Sequence, residues 1–188
     1  YMERASKKLT SKKWKVGFIK TYTWKNCKQY VKDSITKFLN KLESERDIDV
    51  EEIDFPNEYC DAHQMHAHIY NKSLSYYFKR EAKLSPENIS TIMKSMISLG
   101  EKTSVSEFDN SLIKQSEFAS KIDLMFCDFD VIISHATAES APARGQEEKD
   151  DCSLLWTLAM IPSISAPLFR CPNNMPFNLH ILSSRWQD

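Results

Sequence analysis

The sequence predicts an α/β fold, a mixed, mostly parallel sheet flanked by helices on both faces. A strand pattern, a helix pattern and a second strand pattern follow one another between Trp14 and Pro56. An unbroken β-branched run, Val131–Ile133, is typical of a strand that is covered on both faces. Between these pieces lie long segments whose apolar residues recur at helical spacing.

The first strand is predicted within Trp14–Lys20, which holds a compact apolar group around Gly17. A helix is predicted next, because one apolar stripe is formed by Val31, Ile35, Phe38, Leu39 and Leu42. A second strand is predicted over Ile48–Ile53, closed by Pro56. A strand–helix–strand unit of this length predicts a crossover that joins parallel neighbours.

Two helices are predicted in the middle of the chain. A long amphipathic helix is expected within Tyr59–Lys83. The next helix is expected to begin at Ser85, with the serine as its cap and Pro86 at its first position. We expect it to end before Gly100, a residue suited to a left-handed conformation just past a helix.

A last long helix leads to the predicted central strand, Val131–Ile133. Ser104 or Ser106 is expected to cap this helix, which runs to Phe126. The β-branched run that follows predicts burial on both faces, and therefore a place inside the sheet.

A short helix is predicted over Leu154–Met160, after a polar loop. Asp150 or Asp151 offers a side-chain oxygen to the free amides at its start. Pro162 ends the helix, because proline has no amide hydrogen. Ile164 and its neighbours are then interpreted as a second buried strand.

The charge balance excludes two classes of partner. Lys and Arg number 25 against 26 Asp and Glu, for a formal net charge of -1. Such a chain has no global field that recruits nucleic acid or an anionic membrane. The locally basic segment Arg4–Lys20 has no nucleic-acid-binding motif and is interpreted as a solvated face.

The cysteines and the hydropathy predict a cytoplasmic protein. The five cysteines are scattered without paired spacing, at Cys27, Cys60, Cys127, Cys152 and Cys171. Dispersed cysteines of this kind act as small apolar residues in a reducing compartment. No apolar run approaches the roughly 18 residues that a membrane span needs, so no transmembrane segment is predicted.

Cys60, His63, His66 and His68 crowd into one short segment and raise the question of a metal site. A structural zinc site normally takes four ligands, and His68 points away from His66 on a helix. We interpret the cluster as a polar helix face and predict no metal.

His135 is a candidate pocket residue. A serine–histidine–carboxylate triad with Ser134 and the nearby Asp128 or Asp130 is not expected, because neighbours in a strand point to opposite faces. Ligands of mostly parallel sheets bind outside the carboxyl ends of the strands. His135, at the end of the central strand, is therefore predicted to face the ligand.

Trp156 and Thr157 are the other pocket candidates. An indole can form an apolar wall, and a neighbouring hydroxyl can donate or accept a hydrogen bond. Packing beneath the sheet explains Trp156 equally well, so both interpretations stay open.

Several segments resemble the C-terminal half of amidase signature enzymes. Phe-Asp-Val-Ile-Ile at 129–133 is similar to their Tyr/Phe-Asp-x-Leu strand, and Trp-Thr-Leu-Ala-Met-Ile-Pro at 156–162 to their Trp-Thr-x-x-Gly-x-Pro segment. Met-Pro-Phe-Asn-Leu-His-Ile at 175–181 is similar to their Leu-Pro-x-Gly-x-Gln-Leu strand. Residues 15–56 resemble a strand, a long helix and a strand that follow the catalytic core of the family. The order and spacing agree over nearly all of the chain.

The resemblance implies an enzyme that hydrolyses a C–N amide bond by acyl transfer to serine and then to water, without a metal or organic cofactor. The family's Gly/Ser-rich core supplies a serine nucleophile, a bridging serine and a lysine base, whereas this chain has only 3 glycines and no such run. No catalytic residue is therefore predicted in this stretch. Residues 1–188 are expected to be a single unit, the C-terminal half of an amidase-like domain within a longer chain. That unit would supply scaffold and pocket wall and be inactive alone.

Two other functions stay open. The shortage of glycine favours a non-catalytic interaction protein on an amidase-like scaffold. The amidase subunit of a tRNA-dependent amidotransferase is less favoured, because we find no clear match to an Arg-Ile-Leu-Gly segment. The expected partner is a small-molecule amide, and the sequence leaves homo-oligomerisation open.

Overall fold

A computed structural model describes residues 13–146 and 151–187, which form two units. Unit 1 comprises the described parts of Tyr1–Phe55, Ile122–Trp156 and Ile161–Asp188. Unit 2 comprises Pro56–Lys121 and Thr157–Met160. The expectation that residues 1–188 form a single unit stays a prediction.

The described residues form five strands and six α-helices, with four of the helices in succession between the second and third strands. The strands are β1 (Trp14–Lys20), β2 (Ile48–Asp54), β3 (Val131–His135), β4 (Ser163–Arg170) and β5 (Pro176–Leu182). The helices are α1 (Gln29–Glu43), α2 (Ala62–Tyr77), α3 (Lys79–Leu84), α4 (Thr91–Lys102), α5 (Val105–Met125) and α6 (Leu154–Leu158). None of the helices in the described ranges combines the length and the hydropathy that a membrane span requires.

One sheet in unit 1 takes the strands in the order β2-β1-β3-β5-β4. β1 lies parallel to β2 and to β3, whereas β5 lies antiparallel to β3 and to β4. The mixed sheet and the parallel crossover from β1 to β2 are confirmed. Parallel and antiparallel pairings are equal in number among the described strands, so the antiparallel share is larger than expected.

The central position predicted for β3 is confirmed. The strand lies between β1 and β5, and residues 132–135 are buried. Side chains alternate between the two faces of a strand, so burial of both Ile132 and Ile133 means that both faces are covered. A β-branched run without alternation thus indicated a strand of this type correctly.

The predicted apolar stripe of α1 is also confirmed, and it covers one face of the sheet. Val31 and Ile35 are fully buried in a cluster that includes Phe18 of β1 and Ile133 of β3. Burying side chains of this size contributes roughly 1.5–3 kcal/mol each. The other members of the stripe, Phe38, Leu39 and Leu42, are partly buried at the edge of this cluster.

The single long helix expected within Tyr59–Lys83 is wrong in its extent. A short 3₁₀ turn ends at Tyr59, and the residues that follow form α2 and α3, which are separated at Phe78. The Phe78 backbone has φ -99° and ψ 11°, outside helical values. Tyr76 and Tyr77 are about three-quarters exposed, so the buried stripe does not continue through this point.

The predicted start and end of the next helix are also wrong. Ser85 makes no capping hydrogen bond, and Ser90 caps α4 instead, with its Oγ accepting from the Met93 amide at 3.2 Å. Residues 86–88 form a separate 3₁₀ turn. Gly100 lies inside α4, which continues to Lys102.

The caps of the two remaining helices follow the sequence. Ser104 and Glu107 form a reciprocal capping box before α5: the Ser104 amide donates to Glu107 Oε2 at 2.8 Å, and the Glu107 amide donates to Ser104 Oγ at 3.2 Å. Asp151 caps α6, since its Oδ1 accepts from the amides of Ser153 and Leu154. Asp150 and residues 4–12 of the basic segment lie outside the described residues.

The buried strand expected around Ile164 is an exposed one. Among the described strands, β4 lies at an edge of the sheet and pairs with β5 alone, and Ile164 is 66% exposed. An apolar strand pattern reports strand formation but not position within a sheet, because strand order is decided by pairing between distant segments.

Candidate functional site

The carboxyl ends of β1 and β3 lie side by side in unit 1. The two strands are parallel, and Ile19 pairs with Ser134. The chain leaving β1 therefore passes beside the end of β3, where His135 is the last residue. This edge is where a parallel arrangement places its ligand-facing side chains.

A buried polar network surrounds His135. Its Nε2 lies 2.8 Å from Thr23 Oγ1 and 3.4 Å from Thr21 Oγ1, and the two hydroxyls lie 2.8 Å apart. The Trp24 ring meets the imidazole edge-on at 5.3 Å between centroids. The side chain of His135 is fully buried, and its assignment to the substrate pocket stays a prediction.

Cys152 joins the same network from the start of the α6 region. Thr23 Oγ1 donates to Cys152 Sγ at 3.5 Å, and both side chains are buried. This contact links the end of β1 to the segment that carries Ser153, a residue that faces a cleft.

The cleft lies next to the carboxyl end of β3 and has a volume of about 310 Å³. Thr137 and Glu139 in the loop after β3 form one side, and the start of β5 forms another. Polar side chains line it where the strands and α6 approach one another, namely Ser153, Ser165, Asn178 and His180.

His180 is the buried ionisable group of this cleft. Its side chain is 6% exposed, and its Nε2 lies 3.4 Å from Ser153 Oγ. Burial lowers the pKa of the imidazole below its ordinary value of 6.5, and the negative charge of Asp151 opposes this shift. The ring is therefore neutral at neutral pH, with one nitrogen as donor and the other as acceptor.

The other polar groups of the cleft are uncharged or already paired. Asn178 Nδ2 donates to Ser165 Oγ at 2.8 Å. The carboxylate of Glu139 forms an exposed ion pair with Lys28 Nζ at 3.6 Å. The cleft can therefore offer hydroxyl, amide and imidazole hydrogen bonds, without an unpaired charge among the described residues that line it.

The Ser153–His180 pair does not have the geometry of a nucleophile and its base. The 3.4 Å separation is long, and His180 Nδ1 has no hydrogen-bond partner among the described residues. A catalytic histidine is held in one tautomer by a partner on that nitrogen. Asp151, the nearest carboxylate in sequence, is occupied as the cap of α6.

Trp156 and Thr157 have different environments although they are adjacent in α6. Trp156 is 2% exposed and its Nε1 has no hydrogen-bond partner among the described residues, whereas Thr157 is exposed. Neither is among the residues that line the 310 Å³ cleft. Their assignment to the substrate pocket stays a prediction.

Unit 2 contains a larger cleft, of about 550 Å³, whose lining is less suited to chemistry. Tyr76, Tyr77 and Phe108 supply much of its wall. The two serines there, Ser73 and Ser75, donate their hydroxyls to carbonyls of their own helix. We therefore take the smaller cleft in unit 1 as the candidate site, because its lining includes buried polar groups that are incompletely paired.

The Cys60–His68 cluster lies in unit 2 and its members have separate environments. The His66 ring stacks on Tyr70, and His68 Nδ1 lies 3.2 Å from Ser111 Oγ. Cys60 is exposed. Among the described residues, no group of three or more potential ligands is arranged to hold a metal ion.

Sequence reasoning missed His180, Ser153 and Ser165. A signal existed for the network around His135, because Thr21 and Thr23 directly follow a strand predicted to lie in the sheet. No comparable signal existed for His180, since its neighbours Ser134 and Ser165 come from strands paired through a register that the sequence does not display.

Comparison with known proteins supplies the family. The family model described as Amidase matches residues 2–188. A search of curated protein sequences gave no significant match.

Solved structures with the same fold include several amidases. One described as a crystal structure of amidase has a TM-score of 0.83 at 14% identity, covering 95% of this chain and 43% of that chain. A bacterial aryl acylamidase has a TM-score of 0.68 at 17% identity, covering 93% and 40%. A fatty acid amide hydrolase has a TM-score of 0.71 at 15% identity, covering 92% and 37%. The chain thus spans less than half the length of these proteins, and identities this low establish the fold alone.

Proposed function

This chain belongs to the amidase family, and we propose that it forms the substrate-pocket half of a serine-type amide hydrolase. The reaction is hydrolysis of a C–N amide bond in a small molecule. A serine hydroxyl attacks the carbonyl carbon, the amine leaves with a proton, and water then cleaves the acyl-enzyme to release the acid and free the serine. These two steps require no metal or organic cofactor.

The observation that carries the proposal is the cleft at the carboxyl end of β3. It is concave, about 310 Å³ in volume, and combines the apolar Phe177 with hydroxyl, amide and imidazole groups. Small-molecule sites have this composition, and α/β sheets place them at this edge. His135, Trp156 and Thr157 are proposed to belong to the substrate pocket.

The nucleophile is proposed to come from residues outside these 188. An oxyanion hole needs closely approaching backbone amides, which glycine-rich loops supply. The chain has 3 glycines, at Gly17, Gly100 and Gly145, and no glycine/serine-rich run. The Ser153–His180 geometry described above is likewise unsuited to attack on a carbonyl.

The same shortage of glycine favours a second candidate, a non-catalytic interaction protein on this fold. The two candidates differ in whether the full-length protein carries a reactive serine. A fluorophosphonate probe, which phosphorylates activated serines, separates them directly.

The test uses the full-length protein, the probe, and a panel of aryl, primary and aliphatic amides. We expect covalent labelling of one serine outside residues 1–188, mapped by mass spectrometry, and release of amine from at least one amide. Labelling of a serine within the 188 residues would contradict the placement of the nucleophile. Absence of both labelling and hydrolysis would favour the non-catalytic candidate.

Cytoplasmic location and a small-molecule amide as partner belong to the same proposal. The five cysteines form no disulfide bond with one another in the described structure, as is usual for proteins of a reducing compartment. Light scattering coupled to size-exclusion chromatography would establish whether the protein forms a homo-oligomer.

A further inference from the structure

His180 lines the cleft in unit 1 and carries a buried ring nitrogen that has no hydrogen-bond partner among the described residues. The side chain is 6% exposed and lines the cleft, yet Nδ1 has no partner among the described residues. Buried polar atoms in native proteins are nearly always paired, so an unpaired one calls for a ligand, a water or a rearranged neighbour. The contact of Nε2 with Ser153 Oγ, at 3.4 Å, is itself loose.

The register of the sheet gathers further hydroxyls around this histidine. His180 of β5 pairs with Ser134 of β3 on one side and Ser165 of β4 on the other, so all three side chains lie on one face. Ser165 accepts a hydrogen bond from Asn178. Ser134 Oγ is buried and has no hydrogen-bond partner among the described residues.

The electrostatics of the cleft favour uncharged groups. The imidazole is neutral at neutral pH because burial disfavours its protonated form. Glu139, the carboxylate among the described lining residues, is paired with Lys28. An ionic ligand would lose its hydration without gaining an opposite charge.

We propose that His180, together with Ser153, is the specificity-determining group of this cleft and selects amides that carry an additional uncharged hydrogen-bonding group, such as a hydroxyl or a second amide. The inference rests on the proposed amide hydrolase function and names its substrate class. A neutral imidazole can donate to such a group or accept from it. An apolar group in the same place would leave Nδ1 unpaired, and a site built for hydrogen bonding rejects ligands that cannot form the bond.

The test uses two pairs of amides. In each pair, one amide carries a hydroxymethyl group where the other carries an ethyl group, and the group is on the acyl side in one pair and on the amine side in the other. For the full-length protein we expect kcat/KM to favour the hydroxymethyl amide of one pair by about tenfold, the size of one hydrogen bond. His180→Leu should abolish this preference and His180→Gln should restore part of it. His66→Leu, a matched histidine change in unit 2, should leave the preference unchanged.

Two further measurements keep the inference falsifiable if His180→Leu does not fold. Ser153→Ala, on an exposed residue of the rim, should reduce the preference. The ¹⁵N resonance of His180 Nδ1 should shift when a non-hydrolysable hydroxymethyl amide mimic binds, and should not shift with its ethyl counterpart. Binding of both mimics with no change at His180 would overturn the inference.

The outcomes separate the inference from the proposed function. Active hydrolysis with equal kcat/KM for both members of each pair would overturn the inference and leave the amidase function standing. Absence of hydrolysis for every amide would remove the proposed function, while the binding measurement would still decide the subsite. A His180 Nδ1 resonance that responds to Ser134→Ala and not to either mimic would assign its partner within the protein and overturn the inference.

Discussion

At the scale of single residues, Gly100 marks a close contact between the backbones of α4 and α2. A Cβ built on Gly100 would lie 1.9 Å from the carbonyl oxygen of Asn71, a position that no real side-chain carbon occupies. Within unit 2, the backbones of α4 and α2 therefore approach each other so closely at Gly100 that only glycine fits there. The residue resembled a helix terminator in the sequence, because glycine serves both roles.

Gly100→Ala is expected to destabilise the protein by about 2 kcal/mol, measured by urea unfolding. Alanine gains roughly 0.5–1 kcal/mol of helix preference over glycine, but the clash is with backbone, which cannot rotate away, and overpacking costs roughly 1–3 kcal/mol or more. Ser98→Ala, at an exposed position of the same helix, is the control and should change stability by less than about 0.5 kcal/mol. Equal or greater stability of Gly100→Ala would show that the two helices separate at little cost.

The protonation of His180 gives a residue-scale prediction for pH. In the folded protein the pKa of the His180 imidazole is lowered below its ordinary value of 6.5. Between pH 6.5 and this lowered pKa, the unfolded chain therefore binds more protons at His180 than the folded protein does. Stability should therefore be unaffected by this group above pH 6.5 and should decrease below it.

His180→Gln removes this contribution. Free energies of unfolding measured from about pH 8 to about pH 5 should fall less steeply below pH 6.5 in the variant than in the wild type, whatever the offset between the two curves. If the free energy of unfolding depends on pH equally in both proteins, the pKa of His180 is the same in the folded and unfolded states, and this prediction is wrong.

At the scale of elements, side-chain capping explains where α4, α5 and α6 begin. Ser104 and Asp151, each one of two candidates predicted from the sequence, cap α5 and α6, and the reciprocal bond from the Ser104 amide to Glu107 was not predicted. The start of α4 shows the limit of this reasoning, because two serines five residues apart, Ser85 and Ser90, both precede helical spacing. Only the latter has the extended backbone (φ -61°, ψ 154°) that lets a side chain reach the first turn.

Ser90→Ala is expected to cost about 1 kcal/mol in free energy of unfolding, the usual effect of losing a serine cap. Ser85→Ala is the matched control, because its side chain makes no capping hydrogen bond, and should change stability by less than about 0.5 kcal/mol. The reverse order of the two effects would place the functional start of the helix at Ser85.

At the scale of the molecule, one sheet joins the first and last thirds of the chain. β1 and β2 come from the beginning, β4 and β5 from the end, and β3 connects them. The proposed role as a pocket-forming scaffold depends on this arrangement, because the cleft combines the loop after β3 with residues of β4 and β5.

Trp156→Ala tests that role in the full-length protein. If the indole forms pocket wall, turnover across a panel of amides should change in rank while the melting temperature falls little. If the indole, which is 2% exposed, serves only in packing, the variant should instead be strongly destabilised, because truncation of a buried tryptophan typically costs roughly 3–5 kcal/mol. An equal loss on every amide together with a large drop in melting temperature would assign Trp156 to packing alone.

The sequence by itself determined the kinds of element, the caps of α5 and α6 and the family, because helical spacing, β-branched runs and family motifs are properties of neighbouring residues. Tertiary structure decided the edge position of β4, the close passage at Gly100 and the row of Ser134, His180 and Ser165. Those features depend on which distant segments pair and in what register. Pairing is a balance of packing over the whole sheet, and no local pattern in the chain encodes it.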